Sequence, residues 1–115
     1  RSSGPHGDNA SVQPLWQQLS AAKADLVLAG HDHDYERFAP ADASANPARA
    51  GMIGMVVGTG GKQPYPFVSK RAGSLVRIQG VHGVLALDLR QRGWDWRFTG
   101  TDGKVRDRGS AACQT

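Results

Sequence analysis

The spacing of apolar positions changes from helical to strand-like about a quarter of the way along the chain. Leu15, Leu19 and Ala22 recur at helical spacing with Trp16 beside them. Asn9 or Ser11 can cap this segment, Pro14 is tolerated only within a first turn, and the helix is expected to end near Ala24. Asp25 to Gly30 is then a short continuous apolar run stopped by glycine, which predicts a strand buried on both faces. A polar cluster from His31 to Phe38 follows, then an Ala/Asp/Asn/Pro loop from Ala39 to Ala50. Met52 to Val57 predicts a second strand, ended by Gly58-Thr59-Gly60-Gly61. Leu75 to Ile78, Val84 to Leu89 and Trp94 to Phe98 alternate with period two, with turns at Gly93 and Asp102-Gly103, as in an antiparallel meander. In the last run Trp94, Trp96 and Phe98 share one face, and Asp95 and Arg97 the other. Residues 1 to 9 read as a loop.

The class is therefore α/β with a β-rich second half. At 115 residues the chain is one domain at most, able to bury roughly two-thirds of its unfolded surface. Lys and Arg outnumber Asp and Glu by 14 to 10, a net charge of +4, with a pI near 9.7. This mild excess admits an anionic substrate or a nucleic acid. A nucleic-acid module needs basic and aromatic side chains on one exposed face, whereas the Trp94 run gathers its aromatics as a core strand would, so nucleic acid is not the expected partner. No apolar run nears the roughly 18 residues of a membrane span, so no membrane partner is expected. The single cysteine, Cys113, excludes an internal disulfide and any cysteine-rich zinc knuckle.

The chemistry is concentrated just after the first apolar run. If His31-Asp32-His33 were extended, both imidazoles would project to one side, about 6.5 Å apart along the chain. That spacing suits two metal ions roughly 3.5 to 4 Å apart, one imidazole on each. Asp32 would then point away. A bare His-x-His is more often a solvated turn, and zinc sites take at least three protein ligands, while only His6 and His82 remain among the four histidines. The density of charge behind a buried strand is nevertheless costly unless those groups are paired or bind something. Gly58 to Gly61 with Lys62 is not a P-loop, because the spacing of Gly, Lys and Ser/Thr and a following helix are lacking.

Gly30-His31-Asp32-His33-Asp34-Tyr35-Glu36-Arg37 resembles the last metal-binding motif of the calcineurin-like metallophosphoesterases, in the Gly-His-x-His-x-Tyr-Glu-Arg form of their purple acid phosphatase-like branch. The resemblance extends to Ser2-Ser3-Gly4 with His6-Gly7, to Val57-Gly58-Thr59-Gly60-Gly61, to Gly80-Val81-His82-Gly83-Val84-Leu85, and to Asp102-Gly103 and Asp107-Arg108-Gly109-Ser110. It implies a two-sheet α/β/β/α sandwich and a metal-dependent phosphoric ester hydrolase acting through a dinuclear centre. His31 and His33 would each ligate one ion, the first a divalent metal and the second often iron; the ions are iron, zinc or manganese. His6 would contact the phosphate or act as general acid. Asp34, Tyr35, Glu36 and Arg37 would support the ligands: Asp34 or Glu36 could accept a histidine ring N–H, or Glu36 and Arg37 could pair with each other. His82 is expected to be structural.

The same family pattern calls for an Asp-x-His block, a Gly-Asp block, an Asn-His-Asp/Glu block and a further histidine just before the Ser-Ser-Gly turn, all of which are expected N-terminal to Arg1. Residues 1 to 115 are thus expected to be the C-terminal portion of a single catalytic domain, with the N-terminal portion of that domain as partner and a phosphoester as substrate. Alone, the chain is expected to bind metal weakly, turn over little or nothing, and expose apolar edges. The resemblance also implies export, to the periplasm or beyond the cell. The competing readings are a non-catalytic β-rich remnant and a basic nucleic-acid-binding module.

Overall fold

Residues 1–115, all described by a computed structural model, form one helix and two β-sheets. The Asn9 side chain accepts from the Ser11 amide at 3.0 Å and opens a 3-10 turn, Ala10–Val12. This runs into helix α1, Gln13–Ala21, with Pro14 in its first turn. The helix stops at Ala21, short of Ala24, because Lys23 enters the left-handed region at φ 55°. The amides of Ala22, Lys23 and Ala24 fold back onto the carbonyls of Gln18, Ser20 and Leu19. Trp16, and not Leu15, meets the sheet: a Cβ on Gly54 would touch the Trp16 ring at 3.6 Å, while Leu15 is 54% exposed.

The first sheet contains β1 (Leu26–Ala29), β2 (Tyr35–Phe38), β3 (Ile53–Val57) and β4 (Ser74–Ile78) in the order β1-β3-β2-β4. β1 and β3 are parallel, and β2 is antiparallel to both β3 and β4. The second sheet is an antiparallel meander of β5 (Gly83–Arg90), β6 (Gly93–Gly100) and β7 (Val105–Ala112); the Leu75 run expected in that meander pairs instead with β2, as β4 of the first sheet. The expectation that β1 is buried on both faces is corrected. It is an edge strand paired only with β3, so Leu28 stays 50% exposed while Met55 and Val56 on central β3 are 1% and 3% exposed. β2 and β7 are strands the apolar pattern does not announce.

Ile53 and Met55 of β3 pack against Trp94 and Trp96 of β6, forming a core between the sheets with Leu26, Val57, Leu85, Leu87, Ala111 and Cys113 around it. The aromatic face read from alternation is therefore interior, each buried ring contributing about 2 to 3 kcal/mol. Tyr35 of β2 stacks on Phe98 of β6, with centroids 4.2 Å apart. The two sheets are thus joined directly beneath the end of β2, where the polar cluster begins. No helix is long and apolar enough to cross a membrane.

Candidate metal and phosphate site

The cluster lies in the turn that carries the chain from β1, past the end of β3, into β2. Gly58, just after β3, permits this crossing: a Cβ there would lie 1.8 Å from the Asp32 carbonyl oxygen, and the Gly58 amide donates to the Asp34 carbonyl at 3.0 Å. The expectation of an extended His31-Asp32-His33 is corrected, since His31 has φ 78°. The turn is tight because β2 must take its place on the far side of β3.

Alternation from Asp32 onward sends three carboxyls inward. Asp32, Asp34 and Glu36 are 1%, 1% and 0% exposed, beneath the Ser2-Ser3-Gly4 turn. The Ser2 hydroxyl donates to Asp32, and the His6 amide donates to Asp32 Oδ1 at 3.0 Å. Glu36 accepts from the Ser3 amide at 2.7 Å, the Ser3 hydroxyl at 2.5 Å and the Ser74 hydroxyl at 2.6 Å. Gly4 is required by close approach: its Cβ would lie 2.5 Å from Asp32 Cγ and 2.8 Å from Asp34 Oδ2. Neither oxygen of Asp34 has a hydrogen-bond partner. Burial, then the nearby Asp32 and Glu36 carboxyls, push the Asp34 pKa up to about 7.

The opposite parity carries Tyr35 and Arg37 to the second sheet. Asp107 of β7 accepts from the Tyr35 hydroxyl at 2.7 Å, from Arg37 Nε at 2.7 Å and from Trp96 Nε1 at 3.1 Å. Burial pushes the Asp107 carboxyl up, but its bonds from Arg37, Tyr35 and Trp96 outweigh this and hold it below the usual carboxylate range. Burial and the Asp107 acceptor hold the Tyr35 hydroxyl above its ordinary range. The supporting roles expected of Asp34, Glu36 and Arg37 are therefore corrected. Neither Asp34 nor Glu36 receives a histidine ring N–H, and Arg37 pairs with Asp107.

The three histidines singled out in the sequence meet at the surface of the turn. His6 stacks on His31 with centroids 3.8 Å apart, and His33 stacks on Tyr65 at 4.0 Å. His6 and Tyr65 are 5.7 Å apart, closing the group. His6 Nε2 lies 4.0 Å from Asp32 Oδ1. His33 Nδ1 is 2.8 Å from the Gln63 carbonyl; a carbonyl only accepts, so Nδ1 carries the proton and Nε2 holds the free lone pair. His82 is held apart through Nε2, 3.0 Å from the Lys62 carbonyl, a structural anchoring. No group of three or more His, Cys, Asp or Glu side chains is placed to hold a metal ion. His31 and His33 thus belong to no such group within these 115 residues.

Tyr65 and Gln63 are the residues sequence reasoning missed. The available signal was a lone aromatic between Pro64 and Pro66, flanked by the glycine turn.

No family model matches the sequence, and no curated protein sequence matches it. Among solved structures, the chain is similar to the purple acid phosphatase PPD1 isolated from yellow lupin (Lupinus luteus) seeds, with a TM-score of 0.74 and 24% identity. The match covers 96% of this chain and 20% of that one. The chain therefore spans about a fifth of its structural neighbour, and what the two share is the fold: the β-rich end of a two-sheet α/β sandwich.

Proposed function

We propose that this chain is the C-terminal portion of a metal-dependent phosphoester hydrolase, and that it supplies His31 and His33 to a dinuclear centre whose other ligands lie outside these 115 residues. The observation that carries this reading is the convergence of His6, His31 and His33 on one surface cluster at the β1–β2 turn, in a fold shared with a purple acid phosphatase.

Two bound ions, of iron, zinc or manganese, would polarise phosphate oxygens and acidify bound water. The chain's own residues do the holding and orienting. His33 presents the lone pair of Nε2 because the Gln63 carbonyl retains the proton on Nδ1. His31 is exposed at the turn and free to ligate. His6, stacked on His31 and with Asp32 as counter-charge for a protonated ring at 4.0 Å, orients a phosphate oxygen or protonates the leaving group. The carboxyls of Asp32, Asp34 and Glu36 stay buried beneath the turn and fix it.

The test is hydrolysis of a chromogenic phosphomonoester with manganese, zinc or iron supplied, by the chain alone and by a polypeptide extended upstream. Little or no turnover is expected from the chain alone. The extended polypeptide should show metal-dependent turnover that falls at least 100-fold on His31→Ala or His33→Ala, since losing a ligand should cost no less than the roughly 10- to 100-fold typical of losing a ligand's hydrogen-bonding partner. Metal-dependent turnover that survives replacement of both histidines overturns the proposal.

A further inference from the structure

Three contacts on His33 come from one short stretch of chain. The Gln63 carbonyl accepts from Nδ1 at 2.8 Å, the Tyr65 amide donates to the His33 carbonyl at 2.9 Å, and the Tyr65 ring lies on the imidazole at 4.0 Å with 20° between planes. Each contact fixes a different freedom: the tautomer, the backbone, and the tilt of the ring. Pro64 fixes the backbone between the two contacting residues, and Pro64 and Pro66 restrict Gln63 and Tyr65 to extended conformations before any folding. The stretch is therefore stiff, and it delivers carbonyl, amide and ring in register.

We propose that Tyr65 is a positioning residue for His33: its ring clamps the imidazole so that Nδ1 stays on the Gln63 carbonyl and Nε2 remains the deprotonated nitrogen. Loss of the ring should change the tautomer population severalfold. The hydroxyl of Tyr65 takes no part, so phenylalanine should serve equally. The use of this clamp in metal binding rests on the function proposed above, but the clamp itself does not.

Imidazole 15N NMR on the 115-residue chain, with no metal added and well above the ordinary histidine pKa of ~6.5, reads the tautomer directly. Wild type and Tyr65→Phe should both show a protonated Nδ1 and a deprotonated Nε2 for His33. In Tyr65→Ala the two nitrogen shifts should move towards each other as the other tautomer becomes populated. A His33 protonated at Nε2 in the wild type overturns the proposal without any variant. So does a folded Tyr65→Ala with the wild-type shifts, or a folded Tyr65→Phe that has lost them. Absence of phosphatase activity from the extended polypeptide would refute the catalytic reading while leaving these shifts to decide the clamp.

Discussion

Asp34 and Asp107 serve opposite sides of β2, and their surroundings push their ionisation in opposite directions. Asp34 meets two further carboxyls and no donor. Asp107 meets the Tyr35 hydroxyl, two nitrogens of Arg37 and the Trp96 indole. Burial raises both pKa values; donors and a guanidinium reverse the effect for Asp107, whereas like charges add to it for Asp34. The lesson is that depth alone does not set the cost of a buried acid. The donors brought by a distant strand do.

The largest effect expected from breaking this contrast is at Asp107. Asp107→Ala would strand Arg37, the Tyr35 hydroxyl and the Trp96 indole without their acceptor, at a cost of about 3 to 5 kcal/mol. Denaturant unfolding at neutral pH measures it. Asp107→Asn keeps an acceptor and should cost less. A loss under about 1 kcal/mol for the alanine variant would mean that the inter-sheet ion pair is a bystander.

Asp34 gives the next effect, with the opposite sign. Its folded pKa, about 7, lies above the usual value of 3.8, so the folded state binds the extra proton between those limits. The stabilisation is complete below about 4 and is lost as pH rises through 7. Asp107, held low, contributes stability above the usual carboxylate range that is lost on acidification. The two together place maximum stability near 3.8, the ordinary carboxyl value, with a decline on either side. Asp34→Asn removes the titration and should stabilise the chain above pH 7, by up to about 4 kcal/mol at 1.36 kcal/mol per pKa unit. Parallel stability curves for variant and wild type from pH 4 to 8 would show that Asp34 is not the group that titrates.

The same contrast explains what was legible in the sequence. The His31/His33 motif and the pairing of the Val84 and Trp94 runs were readable because their signals are local: a short polar block at a strand end and a period of two. β2 was missed because Tyr35-Glu36-Arg37-Phe38 buries charge on both faces, which no apolar pattern reveals. β7 was missed because its inward positions are Asp107, Gly109 and Ala111, and it is held by pairing with β6 more than by apolar weight of its own. Asp107 reaches Arg37 across 70 positions, and Tyr65 reaches His33 across a loop, so neither partnership exists until the sheets pack. β1 read as doubly buried because an apolar run does not say which neighbours will cover it.

The smallest effect separates donor number from donor charge. Glu36 is as buried as Asp34, yet it is surrounded by donors: the Ser3 amide and hydroxyl and the Ser74 hydroxyl. None of these carries charge. Ser74 also accepts from Arg77 at 2.9 Å, so Ser74→Ala removes one donor from Glu36 and one acceptor from a guanidinium. Two donors to Glu36 remain, and the expected loss is about 1.5 kcal/mol, the lower end for a hydrogen bond to a charged group. If Ser74→Ala costs as much as Asp107→Ala, neutral hydroxyls do for Glu36 what Arg37 does for Asp107, and the number of donors governs. If it costs a third or less, the guanidinium is what separates the two sides of β2, and Asp34 is the acid left without either.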